Sequence, residues 1–403
     1  MKLKMPFLLL VLLPASIALA DDKTITVSAG KLDRTDAIVT FPANLDPKTQ
    51  YQLHTGPDTI PLQILPDHRA LFVLKQLKAN TTKTYTIEPT RAEILAGIPI
   101  QRDANNLTFT LNQHEVLKYN GDLTPLPVGY EPSYQRGGYI SPIFTPSGKL
   151  VSDDYADNHR HHHALWAAWT KTDFEGRHPD FWNMGDKKGR VEFVSLDSTF
   201  TGPLASGLSA KHRYVDLTAP TGPKTALNET WETTVYRVGT DPNKPYFLFD
   251  VTLTQTCATD QPLILPKYLY GGIAFRGHKE WNGKGDACTF LTSEDKDRTN
   301  GNETRARWCY IGGKIPGENG ASTFGGLTIL SHPSNFRSPQ PVRIHPDMPY
   351  FTFAPQQLGE FKIEPGTPYV SHYRIVTTDG PADKDLFDRL WNDFATPAEV
   401  TIK

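Results

Sequence analysis

Short runs of β-branched and aromatic residues, each closed by proline, glycine or a small polar cluster, fill most of this 403-residue chain and restrict it to many short strands. Thr24-Ile25-Thr26-Val27, Ala37-Ile38-Val39-Thr40-Phe41, Ile60-Pro61-Leu62-Gln63-Ile64, Ala70-Leu71-Phe72-Val73-Leu74 and Thr84-Tyr85-Thr86-Ile87 open the series. Turn formers such as Gly56-Pro57-Asp58 separate them. Further runs follow at 107–111, 229–236, 246–254, 327–330 and 369–376. With 33 prolines and 30 glycines spread along the sequence, an all-α fold is excluded. One segment departs from the pattern. Over 383–394, Leu386, Phe387, Leu390, Trp391 and Phe394 form a single apolar stripe at helical spacing, behind Gly380-Pro381, and predict one C-terminal helix packed on the β structure.

The length exceeds what one small core organises, so two units are expected. Strand character lapses between Arg91 and Asn106, which divides the chain into a small N-terminal β-sandwich over 21–98 and a large β-sandwich over 99–403. Residues 1–20 read as a signal peptide: Lys2 and Lys4, the apolar run Phe7 to Leu13, then Ala18-Leu19-Ala20. The expected location is therefore periplasmic or secreted, and the mature protein soluble, because no later stretch approaches the roughly 18 apolar residues a membrane span needs.

The formal net charge of -2 contains no long block of one sign, which gives no footprint for nucleic acid or a membrane surface. Cys257, Cys288 and Cys309 match neither a metal knuckle nor a redox pair; one disulfide with a spare thiol, or three buried thiols, are the two readings.

Chemistry concentrates between Asp153 and Trp182. Four of the thirteen histidines, His159, His161, His162 and His163, fall within five positions. In an extended segment His159, His161 and His163 would share one face and His162 the other. Three readings stand side by side: His159 and His161 as ligands of a divalent metal, His161 and His162 as general acid and base, or a loop of imidazoles bonded to backbone. Trp166, Trp169 and Trp182 lie close by, and aromatic faces next to polar groups suit a sugar ring. Farther along, Glu229 is a candidate base, with Arg276, His332 and Arg337 as candidates to neutralise oxyanion charge and Asn335 as a hydrogen-bonding group in the His332 loop. Neither a phosphate-cradling glycine loop, nor a dinucleotide fingerprint, nor a nucleophile elbow is present in the sequence.

Ser141-Pro142-Ile143-Phe144-Thr145-Pro146-Ser147-Gly148, His159-x-His161-His162 with Leu165-Trp166, Asp180-Phe181-Trp182, Glu229, Tyr270-Gly271-Gly272 to Arg276, Arg307-Trp308 and His332-Pro333-Ser334-Asn335 together resemble a secreted bacterial family labelled methane oxygenase PmoA-like. The resemblance spans 139–379. It implies a galactose-mutarotase-like supersandwich with carbohydrate metabolism as its setting. It does not imply methane oxidation, since a membrane monooxygenase subunit needs several apolar spans. The expectation is an exported carbohydrate-active enzyme, a hydrolase or lyase, that cleaves or rearranges a glycoside by acid/base or metal-assisted chemistry. Its alternatives are a non-catalytic carbohydrate-binding module and a metal-dependent oxidoreductase.

Overall fold

A computed structural model describes residues 23–91, 95–317 and 322–403; the predicted signal peptide lies outside the described residues. Among the described residues the architecture is all-β, built from three large antiparallel sheets and one small two-stranded sheet, with a single α-helix at Lys384–Ala395. The helix begins where its stripe predicts. Asp383 caps it by accepting a hydrogen bond from the backbone N–H of Leu386 at 3.0 Å.

The core of the molecule lies between a nine-stranded and an eight-stranded sheet. Alternation along single strands decides what faces it. In Tyr246–Cys257, the residues Phe247, Phe249, Val251 and Leu253 point into this core, while Tyr246 and Leu248 point to the opposite side. Both faces of that strand are covered, because the N-terminal seven-stranded sheet and the helix bury the far side of the eight-stranded sheet through Phe41, Phe72, Phe387 and Leu390. The strand Glu399–Ile402 pairs with Lys23–Ser28, so the C-terminus completes the N-terminal sheet.

The outer face of the nine-stranded sheet builds the site. Three neighbouring strands, Leu165–Ala168, Gly272–Arg276 and Tyr350–Phe353, pair in the register Leu165↔Phe275↔Phe351 and Trp166↔Ala274↔Thr352. Leu165, Phe275 and Phe351 enter the main core. Trp166, Ala274 and Tyr350 therefore face the other way, into a separate aromatic cluster with Trp182, Phe181 and Tyr139. The segments on either side of these strands carry the groups around this cluster, with His159 to His162 before Leu165, Trp182 and Asn183 after Ala168, Tyr270 before Gly272 and His345 before Tyr350.

The three cysteines are free thiols, Cys288 and Cys309 buried and Cys257 partly so. Among the described residues no helix is long and apolar enough to cross a membrane.

Candidate active site

The histidine segment is a turn, and this changes which rings meet. The backbone N–H of His162 bonds to the carbonyl of His159 at 2.8 Å, and that of His159 to Ala156 at 2.8 Å. The extended alternation expected for the segment does not form. His162 joins His159 and His161 instead, with ring centroids 4.8 Å from each, while His159 and His161 are 5.6 Å apart. His163 turns away and donates from Nδ1 to the Asp154 carboxylate at 2.7 Å, beneath Tyr139.

A cavity of about 130 Å³ opens beside the three imidazoles. Trp182, Asn183, Tyr270, Arg343, His345, Met348 and Tyr350 complete its wall. No aspartate or glutamate is among these lining residues. Asp180 sets one side of the cavity: its Oδ1 accepts the backbone N–H groups of Trp182 (2.9 Å) and Asn183 (2.8 Å), and its Oδ2 accepts Nδ2 of Asn183 at 2.7 Å. His345 sits on the loop after Pro341–Ile344, with its Nδ1 accepting the Asp347 N–H at 3.1 Å, which leaves the ring proton on Nε2.

Behind the imidazoles lies Arg276, fully buried. It donates to Asn158 Oδ1 (2.8 Å), to Asn282 Oδ1 (2.7 Å) and, at the long limit of 3.5 Å, to His162 Nδ1. A guanidinium cannot accept a proton, so neutral His162 carries its own on Nε2. Burial pushes Arg276 down to about 10, which leaves it cationic at neutral pH. Its carboxylate neighbour Asp153 stands 3.9 Å away.

Burial, followed by the neighbouring imidazoles and guanidinium groups, which oppose a further positive charge, holds the imidazoles neutral. His161 is pushed down to about 3 and His345 to about 4; His162 lies well below the usual histidine range and His159 below it. Burial outweighs Asp154 even at His163, whose shift is also downward.

The wall also carries polar atoms that the protein does not satisfy. Among the described residues, Trp182 Nε1, Tyr350 OH and His159 Nδ1 are buried with no hydrogen-bond partner. Each such atom costs roughly 1–3 kcal/mol unless something completes it.

Several expected members of the site lie elsewhere. Glu229 is 1% exposed and closes a network: its carboxylate takes His212 at 2.9 Å, the Tyr214 hydroxyl at 3.1 Å and Gln255 Nε2 at 2.7 Å. The register His212↔Glu229↔Gln255 puts all three on one inner face, so Glu229 is a structural anion and not a free base. Trp169 belongs to the same network through Nε1 to Gln255, 2.8 Å. Trp166 is fully buried beneath the pocket. Of the three tryptophans expected to form a sugar platform, only Trp182 reaches the cavity.

The loop carrying His332, Asn335 and Arg337 serves another edge of the fold. His332 packs on Phe394 and His372, with centroids at 4.8 and 5.8 Å. Asn335 pins the backbone of His372 in both directions. Arg337 donates to the carbonyls of Pro355, Gly359 and Glu360. All three side chains satisfy structural partners, and none of them lines the imidazole cavity.

Nor does the expected metal pair gain a third ligand: among the described residues, no three His, Cys, Asp or Glu side chains are arranged to hold a metal ion. Sequence reading passed over Asn183, Arg343, His345, Met348 and Tyr350. His345 was the most findable, as an imidazole in the Pro-punctuated stretch Arg343-Ile344-His345-Pro346-Asp347-Met348-Pro349.

The fold and this cavity define an all-β sandwich protein with an imidazole-lined pocket on the outer face of one sheet. The chain belongs to a family of unknown function (DUF6807), which matches residues 106–392. That match corrects the expected kinship with the methane oxygenase PmoA-like family, a label the matching family's description does not carry. No curated protein matches the sequence. Among solved structures, the heparan sulfate lyase HepC from Pedobacter heparinus is similar over 73% of this chain, at 10% identity and a TM-score of 0.33. The chain spans 38% of the length of that lyase.

Proposed function

We propose that the protein is an exported carbohydrate-active enzyme that cleaves or rearranges a glycoside by proton transfer in the imidazole pocket. The observation that carries this reading is one cavity lined by neutral imidazoles and by three residues that each hold a buried polar atom with no protein partner: Trp182 at Nε1, Tyr350 at its hydroxyl and His159 at Nδ1. A polyhydroxylated ligand supplies the missing acceptors and donors, and the aromatic faces of Trp182, Tyr270 and Tyr350 suit the apolar faces of a sugar. Export rests on the leader-like residues 1–20.

The wall favours one kind of chemistry. Hydrolysis by a matched carboxylate pair lacks its acids, since neither Asp nor Glu lines the cavity. A neutral imidazole with hydrogen-bond donors and a guanidinium opposite suits removal of a C–H proton beside a carbonyl or carboxyl group. His161 takes that proton. Negative charge grows on the oxygen and meets the Trp182 N–H, the Tyr350 O–H and Arg343. Collapse forms a carbon–carbon double bond and expels the substituent on the next carbon as an alkoxide, which takes the proton that His161 holds. An anion in the cavity raises the proton affinity of the adjacent imidazoles, which lifts His161 from its value of about 3 toward a useful base.

The test is product formation from panels of oligosaccharides and oxidised sugars by the purified protein, repeated with His161→Ala. Turnover that survives this substitution intact would sink the mechanism.

A further inference from the structure

We propose, resting on the reading of this pocket as a sugar site, that its ligand is a carboxylated sugar, a uronic acid residue at the end of a chain, with its acid group seated between Arg343 and the donors of Trp182, Tyr350 and His345. Four features of the cavity lead there.

The first is charge. The lining contains a guanidinium, Arg343, and no carboxylate, while the second guanidinium, Arg276, lies directly behind His162. Arg343 is held from the rear by Asn302 Oδ1 at 2.9 Å, a neutral partner that leaves its charge uncompensated at that contact. A neutral ligand leaves that charge facing the cavity without a counter-ion; a carboxylate supplies one in the planar geometry a guanidinium matches.

The second is polarity of the unpaired atoms. An indole N–H can only donate, so whatever completes Trp182 Nε1 brings an acceptor oxygen. Tyr350 OH is likewise free to donate, and the His345 ring proton sits on Nε2 because Nδ1 is occupied by Asp347 N–H. Two carboxylate oxygens offer about four acceptor sites, which accommodates these three donors and Arg343 together.

The third is rigidity. Trp182 is 1% and Tyr350 3% exposed, and the Asp180 bonds to the Trp182 and Asn183 backbone fix that wall before any ligand arrives. Donors that are preset in this way favour charge over a rotatable hydroxyl.

The fourth is size. Pockets for drug-sized ligands run to roughly 300–1,000 Å³, against about 130 Å³ here. The cavity admits one substituent and part of a ring, so the sugar enters by its end.

Calorimetric titration of the full mature chain with methyl glucuronide, methyl galacturonide, methyl glucoside, a glucose 6-sulfate glycoside and inorganic sulfate tests this. The expected result is binding of at least one uronide, at least tenfold tighter than the neutral glucoside and the sulfated sugar. Arg343→Gln should weaken the uronide at least tenfold and the neutral glucoside by a clearly smaller factor, and Arg343→Lys should restore part of the uronide's loss. Equal binding of neutral glucoside and uronide would overturn the carboxylate assignment and leave the sugar reading standing. Preference for the sulfated sugar or free sulfate would overturn it in favour of a different anion. Binding of no sugar at all would remove both readings. The ligand series uses the unmodified protein, so it decides the matter even where a variant fails to fold.

Discussion

Glu229 and Trp182 are equally hidden, each 1% exposed, yet their polar atoms end in opposite states. Glu229 accepts from His212, Tyr214 and Gln255, and the chain continues to Tyr119 and Trp169. Trp182 Nε1 has nothing. The same contrast separates the His332 loop, where Asn335 and Arg337 are bonded to backbone, from the His159 to His162 turn. A buried polar group that the protein completes is part of its scaffold; one that it leaves incomplete carries a cost that a ligand can remove. The distinction is invisible in residue type, since both regions are rich in His, Trp and Arg.

Substitutions that break the contrast should sort the two regions by what they damage. The largest effect is expected on turnover: His161→Ala should lower the rate on an active glycoside about 10²–10⁴-fold, with melting temperature little changed. Glu229→Ala should do the reverse in kind, losing about 3–5 kcal/mol of stability because His212, Tyr214 and Gln255 lose their shared anion; chemical denaturation measures it.

Acid should expose the pocket next. His161 at about 3 and His345 at about 4 lie below the unfolded value of 6.5, so between these limits the unfolded chain binds more protons. Stability is then complete above pH 6.5 and falls as pH drops through 4 toward 3. Melting temperatures at pH 7, 5.5 and 4 should decline, and His161→Asn should flatten the decline. A profile unchanged by that substitution would mean the imidazole is not held neutral by its surroundings.

Smaller still is the effect of Trp182→Phe, which removes an N–H the protein never pairs. The smaller ring leaves a void in the buried aromatic cluster and should cost about 1–2 kcal/mol of stability, while affinity for a uronide drops about tenfold. Smallest of all, dialysis against a strong chelator should leave activity and melting unchanged, since among the described residues no third ligand joins His159 and His161; loss of activity that zinc or another divalent ion restores would overturn that reading of the turn.

Local periodicity explains which parts were legible. The stripe Leu386, Phe387, Leu390, Trp391 and Phe394 announces its helix because spacing of three and four residues is a property of that segment alone. Val39 and Phe41, or Phe247 and Phe249, likewise reveal strands by alternation, although not which of two cores each enters. The histidine cluster is visible as an anomaly, but which of its rings meet is not: the bond from His162 N–H to the His159 carbonyl makes a turn, one of the conformations the segment left open. Trp166, Trp169 and Glu229 have the right chemistry for a sugar site but are buried away from the cavity.

What the sequence by itself determined is therefore the β class, the lone helix and the place where imidazoles are concentrated, since these depend on interactions a few residues apart. Only the tertiary structure decided the membership of the pocket. Arg343, His345 and Tyr350 lie some 180 positions from His161 and reach it because Tyr350 pairs with Arg276 across one strand boundary and Trp166 pairs with Ala274 across the next. Register over that distance is set by the packing of whole sheets, and a one-residue slip would turn each of these side chains to the other face.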